Sequence, residues 1–231
     1  MPIYGAYSLD NILDNNLTGQ LPQIALDHSS GNKLGFDYQS LHTMDPFEEP
    51  TVLPFYYLVP GAKWTDVLSG EWLRKQAGFF VSPKLKKLLE GFSIGRHAYY
   101  SVPISLVHPE DLSEDPEEQA RQKEEVEEYH FLHLAPELAK STDYQRSTFI
   151  NRLEPDQMLE INSEEDFARE KEAQNFPRWK KAFQTRKLDI FRVHGQVDVF
   201  ASPELVEAIQ EAEITGFKVK PARKGFEVEF E

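Results

Sequence analysis

Near its C-terminal end the chain changes hydrophobic period from segment to segment. In "FEVEFE" (226–231), Phe226, Val228 and Phe230 alternate with Glu227, Glu229 and Glu231, the period of two expected of a strand with one buried face. Further upstream, Leu205, Ala208, Ile209 and Ala212 keep the three-and-four spacing of a helix. Ser202 supplies an N-cap oxygen for it, and Pro203 fits the first helical position, where no amide donor is required. "KLDIFRVHGQVDVF" reads as two short strands around a turn at His194-Gly195, a hairpin. "FKVKP", after Thr215-Gly216, reads as a further strand, separated from "FEVEFE" by the turn formers Arg223-Lys224-Gly225. The predicted order is strand, strand, helix, strand, strand.

The same order is written once before. "VFASPEL" (199–205) repeats "FFVSPKL" (79–85) at an offset of 120 positions, and the apolar phase agrees: Leu85 matches Leu205, Leu89 matches Ile209 and Ile94 matches Ile214. In this earlier copy "PFYYLV" (54–59) is assigned to the first strand and "FFV" to the second. Ser82-Pro83 opens a helix with apolar positions Leu85, Leu88, Leu89 and Phe92, and "AYYSVPISL" and "YHFLHL" follow as the third and fourth strands. Two insertions set this copy apart: 60–77, with Trp64 and Trp72, in its first hairpin, and 108–128 in its second. The expected fold is α+β, a mixed sheet built from two related strand-strand-helix-strand-strand units. The expected organisation is an irregular N-terminal extension over 1–53, with turns such as Ser29-Ser30-Gly31-Asn32, then a first unit over 54–140. A helical connector over 141–187 and a second unit over 188–231 complete it. In the connector, "STDYQRSTFINRL" is read as a short helix, and Ser163 with Asp166 as a capping box for a second helix that ends before Pro177.

At 231 residues the chain can bury a core without metal or disulfide staples, and it contains no cysteine. No apolar run approaches the roughly 20 residues that cross a bilayer, and "MPIYGAYSLDN" lacks the basic and apolar regions of a secretory signal. A soluble, cytoplasmic protein is expected. The balance of 25 Lys and Arg against 39 Asp and Glu leaves a formal charge of −14. Such a surface repels nucleic acid and anionic membranes, and it attracts a basic protein over a Debye length of about 8 Å.

The search for catalytic chemistry finds no phosphate-cradling glycine loop, no nucleophile elbow and no cysteine site. His130 and His133 have metal-like spacing only on a helix; on the strand predicted for "YHFLHL", residues three apart point to opposite faces. His28, His42, His97, His108 and His194 stand alone beside turns or strand ends. No catalytic residue, cofactor or metal ligand is assigned. A dispersed carboxylate and histidine site of a hydrolase or transferase is the alternative, and a deep pocket joining His130 or His97 to two buried acids would favour it. The glutamates of "FEVEFE" read as the solvated face of an edge strand.

The insertion "HPEDLSEDPEEQARQKEEVEE" (108–128) concentrates the charge, with ten acidic and two basic residues and a net −8. Asp111, Glu114, Asp115, Glu117, Glu118, Glu124, Glu125, Glu127 and Glu128 are the candidate partner-binding residues, replacing a tight turn with a projecting acidic element. "RWKKAFQTRK" (178–187), with five basic residues and no acid, is an available partner for it within the chain.

The run "LDIFRVHGQVDVFASPELVEAIQEAEITGFKV" resembles the bacterial polymorphic-toxin immunity proteins of the Imm11 family. The resemblance is carried by Asp189 to Arg192, by Ser202 with Leu205, and by Ile214-Thr215-Gly216-Phe217. "FFVSPKLKKLLEGFSI", "YYSVPISL" and "YHFLHL" follow the order expected of that family, so the similarity spans 54–231. It implies an inhibitor, made beside a secreted toxin, that binds the toxin and needs no enzymatic activity. The acidic balance suits a basic toxin such as a nuclease, and Trp64, Trp72 and Tyr129 are candidate aromatic anchors or core.

Overall fold

The computed structural model describes residues 7–11, 18–19, 22–26, 56–70, 78–107, 111, 113–124, 126–194, 198–222 and 226–230. In chain order the strands are β1 (Tyr7–Asn11), β2 (Ile24–Leu26), β3 (Tyr56–Leu58), β4 (Val67–Leu68), β5 (Gly78–Val81), β6 (His97–Ser105) and β7 (Val126–Leu134). They continue as β8 (Thr148–Asn151), β9 (Met158–Leu159), β10 (Pro177–Gln184), β11 (Ile190–Arg192), β12 (Val199–Ala201), β13 (Phe217–Pro221) and β14 (Glu227–Phe230). The helices are α1 (Pro83–Leu89), α2 (Pro116–Glu124), α3 (Glu164–Glu172) and α4 (Pro203–Glu211). The fold is α+β, with mixed sheets.

The two Ser-Pro sequences behave as the pattern predicts. Ser82 Oγ accepts from Leu85 N and Ser202 Oγ from Leu205 N, each at 3.1 Å, with proline beginning each helix. Leu85 and Leu89 on α1, and Leu205, Val206 and Ile209 on α4, are buried. All five join one core with Phe79, Val81, Ile190, Val199 and Ala201. The related units therefore share a core and keep separate sheets.

The first unit lies in a six-stranded sheet of order β2-β3-β6-β7-β5-β4. It is nearly closed into a barrel: Gln23 N and Ile24 N both donate to Ser69 O, at 2.9 and 3.1 Å. Ile24, Tyr56, Leu68, Phe80, Tyr100, Val102, Ile104 and Phe131 fill its interior. The expected first hairpin is corrected by this order. β3 pairs with β2 and, in parallel, with β6, whereas the strand beside β5 is β4, inside the supposed insertion. Val67 opposes Val81 as Ile190 opposes Ala201, so β4 is the counterpart of β11. Two residues of strand are too short to leave a hydrophobic period in the sequence.

A matched pair of clasps joins the units. Ser82 Oγ donates to Asp66 Oδ1 (2.8 Å), and Ser202 Oγ donates to Asp189 Oδ1 (2.9 Å). The second oxygen of each carboxylate reaches the turn behind the other unit's helix. Thr215 N donates to Asp66 Oδ2, and Ser93 N to Asp189 Oδ2, both at 2.9 Å. Gly216, at φ +91°, lets the chains approach there; a Cβ on it would lie 2.2 Å from Val67 O.

The second unit departs from the expected plan at its fourth strand. β11 and β12 form the predicted hairpin, but β13 and β14 do not pair. β13 pairs with β1, which also pairs with β12, and β14 lies parallel to β10 in a third sheet of order β14-β10-β8-β9. The segment 1–53, read as irregular, thus supplies β1 and β2; the turn at Ser29-Ser30-Gly31-Asn32 lies outside the described residues, as do Gly195 and Arg223-Lys224-Gly225. The connector is not mainly helical either. "STDYQRSTFINRL" gives the end of a 3-10 turn (Ala139–Ser141) and β8, because Phe149 alternates into a core with Trp179, Phe167, Phe191 and Phe200. α3 is capped as predicted, Ser163 Oγ accepting from Asp166 N at 3.1 Å, while Asp166 Oδ2 reaches back to Asn162 N at 3.0 Å.

Candidate functional site

The first unit's two long connections meet at one end of the barrel. β3 and β6 finish there side by side, Tyr57 opposite Ser105, and β7 begins there, Val126 opposite Ser105. Residues 59–66 cross this end and are pinned by Gln23, a buried side chain in a stretch whose sequence carries no period. Its Nε2 donates to Lys63 O (2.7 Å) and Thr65 Oγ1 (2.9 Å). Trp64, 37 % exposed, stacks on the buried Tyr129 ring at 5.5 Å. Tyr129 OH donates to Thr65 O at 2.8 Å. Burial, with the carboxylates of Asp66 and Glu127 nearby, drives the Tyr129 phenol well above its usual range, so it stays a neutral donor. Of the aromatic candidates, Tyr129 is core and Trp64 is presented to solvent; Trp72 lies outside the described residues.

The acidic insertion stands on the same end. Asp115 Oδ1 accepts from Glu117 N (2.9 Å) ahead of Pro116, the same acceptor-proline start as at Ser82 and Ser202. That Asp-Pro was a readable helix signal inside the acidic run. α2 has no apolar face and projects as a polar element, with Arg121 paired to Glu118 at 3.0 Å. Asp111, Glu114, Asp115 and Glu117 are exposed, and Glu118 is half-buried. The insertion is shorter than expected: Val126, Glu127 and Glu128 belong to β7, where the two glutamates are exposed opposite Ile104 and Pro103. Glu125 and the Glu124 side chain lie outside the described residues.

The basic run does not answer this charge in the way its composition allowed. It forms β10 and the turn after it, where Lys181 pairs with Glu229 (2.6 Å) and Lys187 with Glu204 (3.5 Å). Glu227, by contrast, is exposed on the edge strand β14, as its alternation predicts.

A groove of about 370 Å³ opens beside the insertion. Leu58, Val59 and Pro60 form one wall, Leu106 and Val107 the other, and Asp111 lies at its edge. Leu106 is 44 % exposed, and Val126, opposite Ser105 on β7, is 38 % exposed. Among the described residues no histidine lines the groove. His130 and His133 point to opposite faces of β7, as predicted: His130 lies edge-on to Tyr99, whereas His133 stacks on Phe131. His97 Nδ1 is 2.8 Å from Gly95 O, and His194 Nε2 is 3.8 Å from Glu164 Oε1. His28, His42 and His108 lie outside the described residues. Among the described residues no group of three or more His, Asp or Glu side chains gathers as a metal site, and no helix is long and apolar enough to cross a membrane.

Comparison with protein-family models and with curated proteins finds no match for this chain.

Proposed function

We propose that this protein is an immunity protein: it binds a cognate secreted bacterial toxin by direct protein contact, in the cytoplasm, and neutralises it without catalysis. The observation that carries the reading is the convergence of both connections that break the internal repeat on one barrel end. There α2, Glu127 and Glu128 give an acidic surface, and Trp64 and Leu106 give exposed apolar area beside it. Interfaces of this kind combine buried aromatic anchors with a charged rim, and the acidic rim selects a basic partner and speeds encounter with it. A nuclease toxin, whose own substrate demands a cationic surface, fits that requirement. The resemblance of 54–231 to the Imm11 immunity proteins supports the same conclusion.

The test is co-expression with the product of the adjacent gene in a host that this product poisons. Restored growth together with a co-purifying complex is the expected result. Failure of both would overturn the reading.

A further inference from the structure

We propose that the groove beside Asp111 receives one lysine or arginine side chain of the partner protein. This rests on the inhibitor reading and specifies its chemistry. The groove has apolar walls from the end of β3 and the segment after it, Leu58 and Pro60, and from the segment after β6, Leu106 and Val107, and among the described residues Asp111 is the ionisable group that lines it. Its volume of about 370 Å³ leaves room for a long side chain.

Charge decides which side chain. Asp111 belongs to an insertion of net −8, so an anionic group would be repelled. A neutral apolar side chain would cover the walls and take water from the Asp111 carboxylate without replacing it. A lysine or arginine satisfies both parts. Its methylene stem lies along Leu58, Pro60, Leu106 and Val107, and its cationic head reaches Asp111, with Glu114 and Asp115 further along the same acidic run. The 44 % exposure of Leu106 is then the free-state form of a contact surface.

The experiment has two arms. In the first, the full chain is titrated with the N-acetyl amides of lysine, arginine and norleucine, followed by amide NMR. Saturable shifts at Leu58, Val59, Leu106 and Val107 are expected with both cations, with the norleucine compound roughly tenfold weaker. Asp111→Asn should erase the difference. Equal response to norleucine, no response, or a cation preference that survives Asp111→Asn overturns the proposal. In the second arm the co-purified toxin is bound to the Asp111→Lys variant, and affinity should fall roughly tenfold or more. If the toxin binds the parent chain and the variant equally, the groove proposal falls and the inhibitor reading stands. If the cations bind but no toxin is neutralised, the groove is a cation site and the inhibitor reading falls.

Discussion

Leu9 and Leu132 occupy the same position in two related sheets. Leu132 lies between Phe79 and Tyr99 in register, and Leu9 lies between Val199 and Val219, each neighbour displaced by 120 positions. Both leucines are buried in the shared core. The slot that β7 fills in the first unit is filled in the second by a strand from the start of the chain. Leu9→Ala should therefore cost about 2–5 kcal/mol, the range for truncating a buried leucine. Urea unfolding measures it, and a loss under about 1 kcal/mol would show that β1 is dispensable.

The sequence shows this architecture up to the point where contiguity ends. Ser82-Pro83 and Ser202-Pro203, with the leucines that follow, repeat because each helix cap and its buried face lie within one short segment. Strand partnership across the chain leaves no such mark. "FEVEFE" has the period of a half-buried strand, and Val228 is buried, but nothing in its alternation says that it pairs with β10 and leaves β13 to β1. β4 and β9, at two residues each, are below the length at which a period exists. At the candidate site the charge of 108–128 was plain. Its placement beside Trp64 was not, because that depends on Gln23 pinning residues 59–66 from a distant segment.

Asp189, Arg192, Ser202 and Thr215 hold the units together. Asp189 accepts from Ser202 and from Ser93 N, Thr215 meets Asp66, and the buried Arg192 donates from Nη1 to Leu134 O at 2.8 Å. Asp189→Asn keeps one acceptor oxygen of two and should destabilise the fold by about 1–2 kcal/mol. Asp66→Asn, in the matching clasp, should cost a similar amount. Because the two clasps share no partner residue, the double variant read by urea denaturation should lose about the sum of the two. Unchanged stability in both single variants would mean that the clasps follow the packing and do not reinforce it.

Leu85 and Leu205 test the helix phase directly. Each is fully buried in the core between the units, so Leu85→Ala and Leu205→Ala should each lower stability by about 2–5 kcal/mol. Exposed Glu207 on α4 is the control face, where Glu207→Ala should change stability by about 0.5 kcal/mol or less. Similar values at all three positions would refute the assigned phase.

His194 and His130 make the fold sensitive to mild acid. Burial holds His194 below its ordinary value of 6.5, opposed by nearby Glu164 and by a bond to the Glu137 backbone, and reinforced by Lys171. Burial and Lys86 lower His130 against the pull of Glu128. A folded-state value below the unfolded one means that the unfolded chain binds the proton more tightly. The stability these neutral rings contribute is thus complete above the unfolded value and is lost as pH falls through the lower folded value. Urea midpoints should drop as pH falls below the ordinary imidazole value of 6.5, and a His130→Gln, His194→Gln variant should show a shallower drop there. An identical slope in the double variant would assign the acid sensitivity to other groups.

Trp64 separates binding from folding. Its indole is more than one-third exposed and rests on Tyr129, whose own ring is buried. Trp64→Ala removes one aromatic stack, worth about 0.5–1.5 kcal/mol, and the covered part of the side chain, so its folding cost is read separately by urea unfolding. If the barrel end is the toxin contact, the same change removes a central anchor costing about 2 kcal/mol or more, roughly thirtyfold in Kd. Neutralising Glu114, Asp115, Glu117 and Glu118 together should act differently, lowering the association rate and flattening its salt dependence with little change in dissociation. Stopped-flow association and dissociation rates at several salt concentrations distinguish the two. A Trp64→Ala variant that binds like the parent, together with an unchanged salt slope in the neutralised helix, would move the interface away from this end of the barrel.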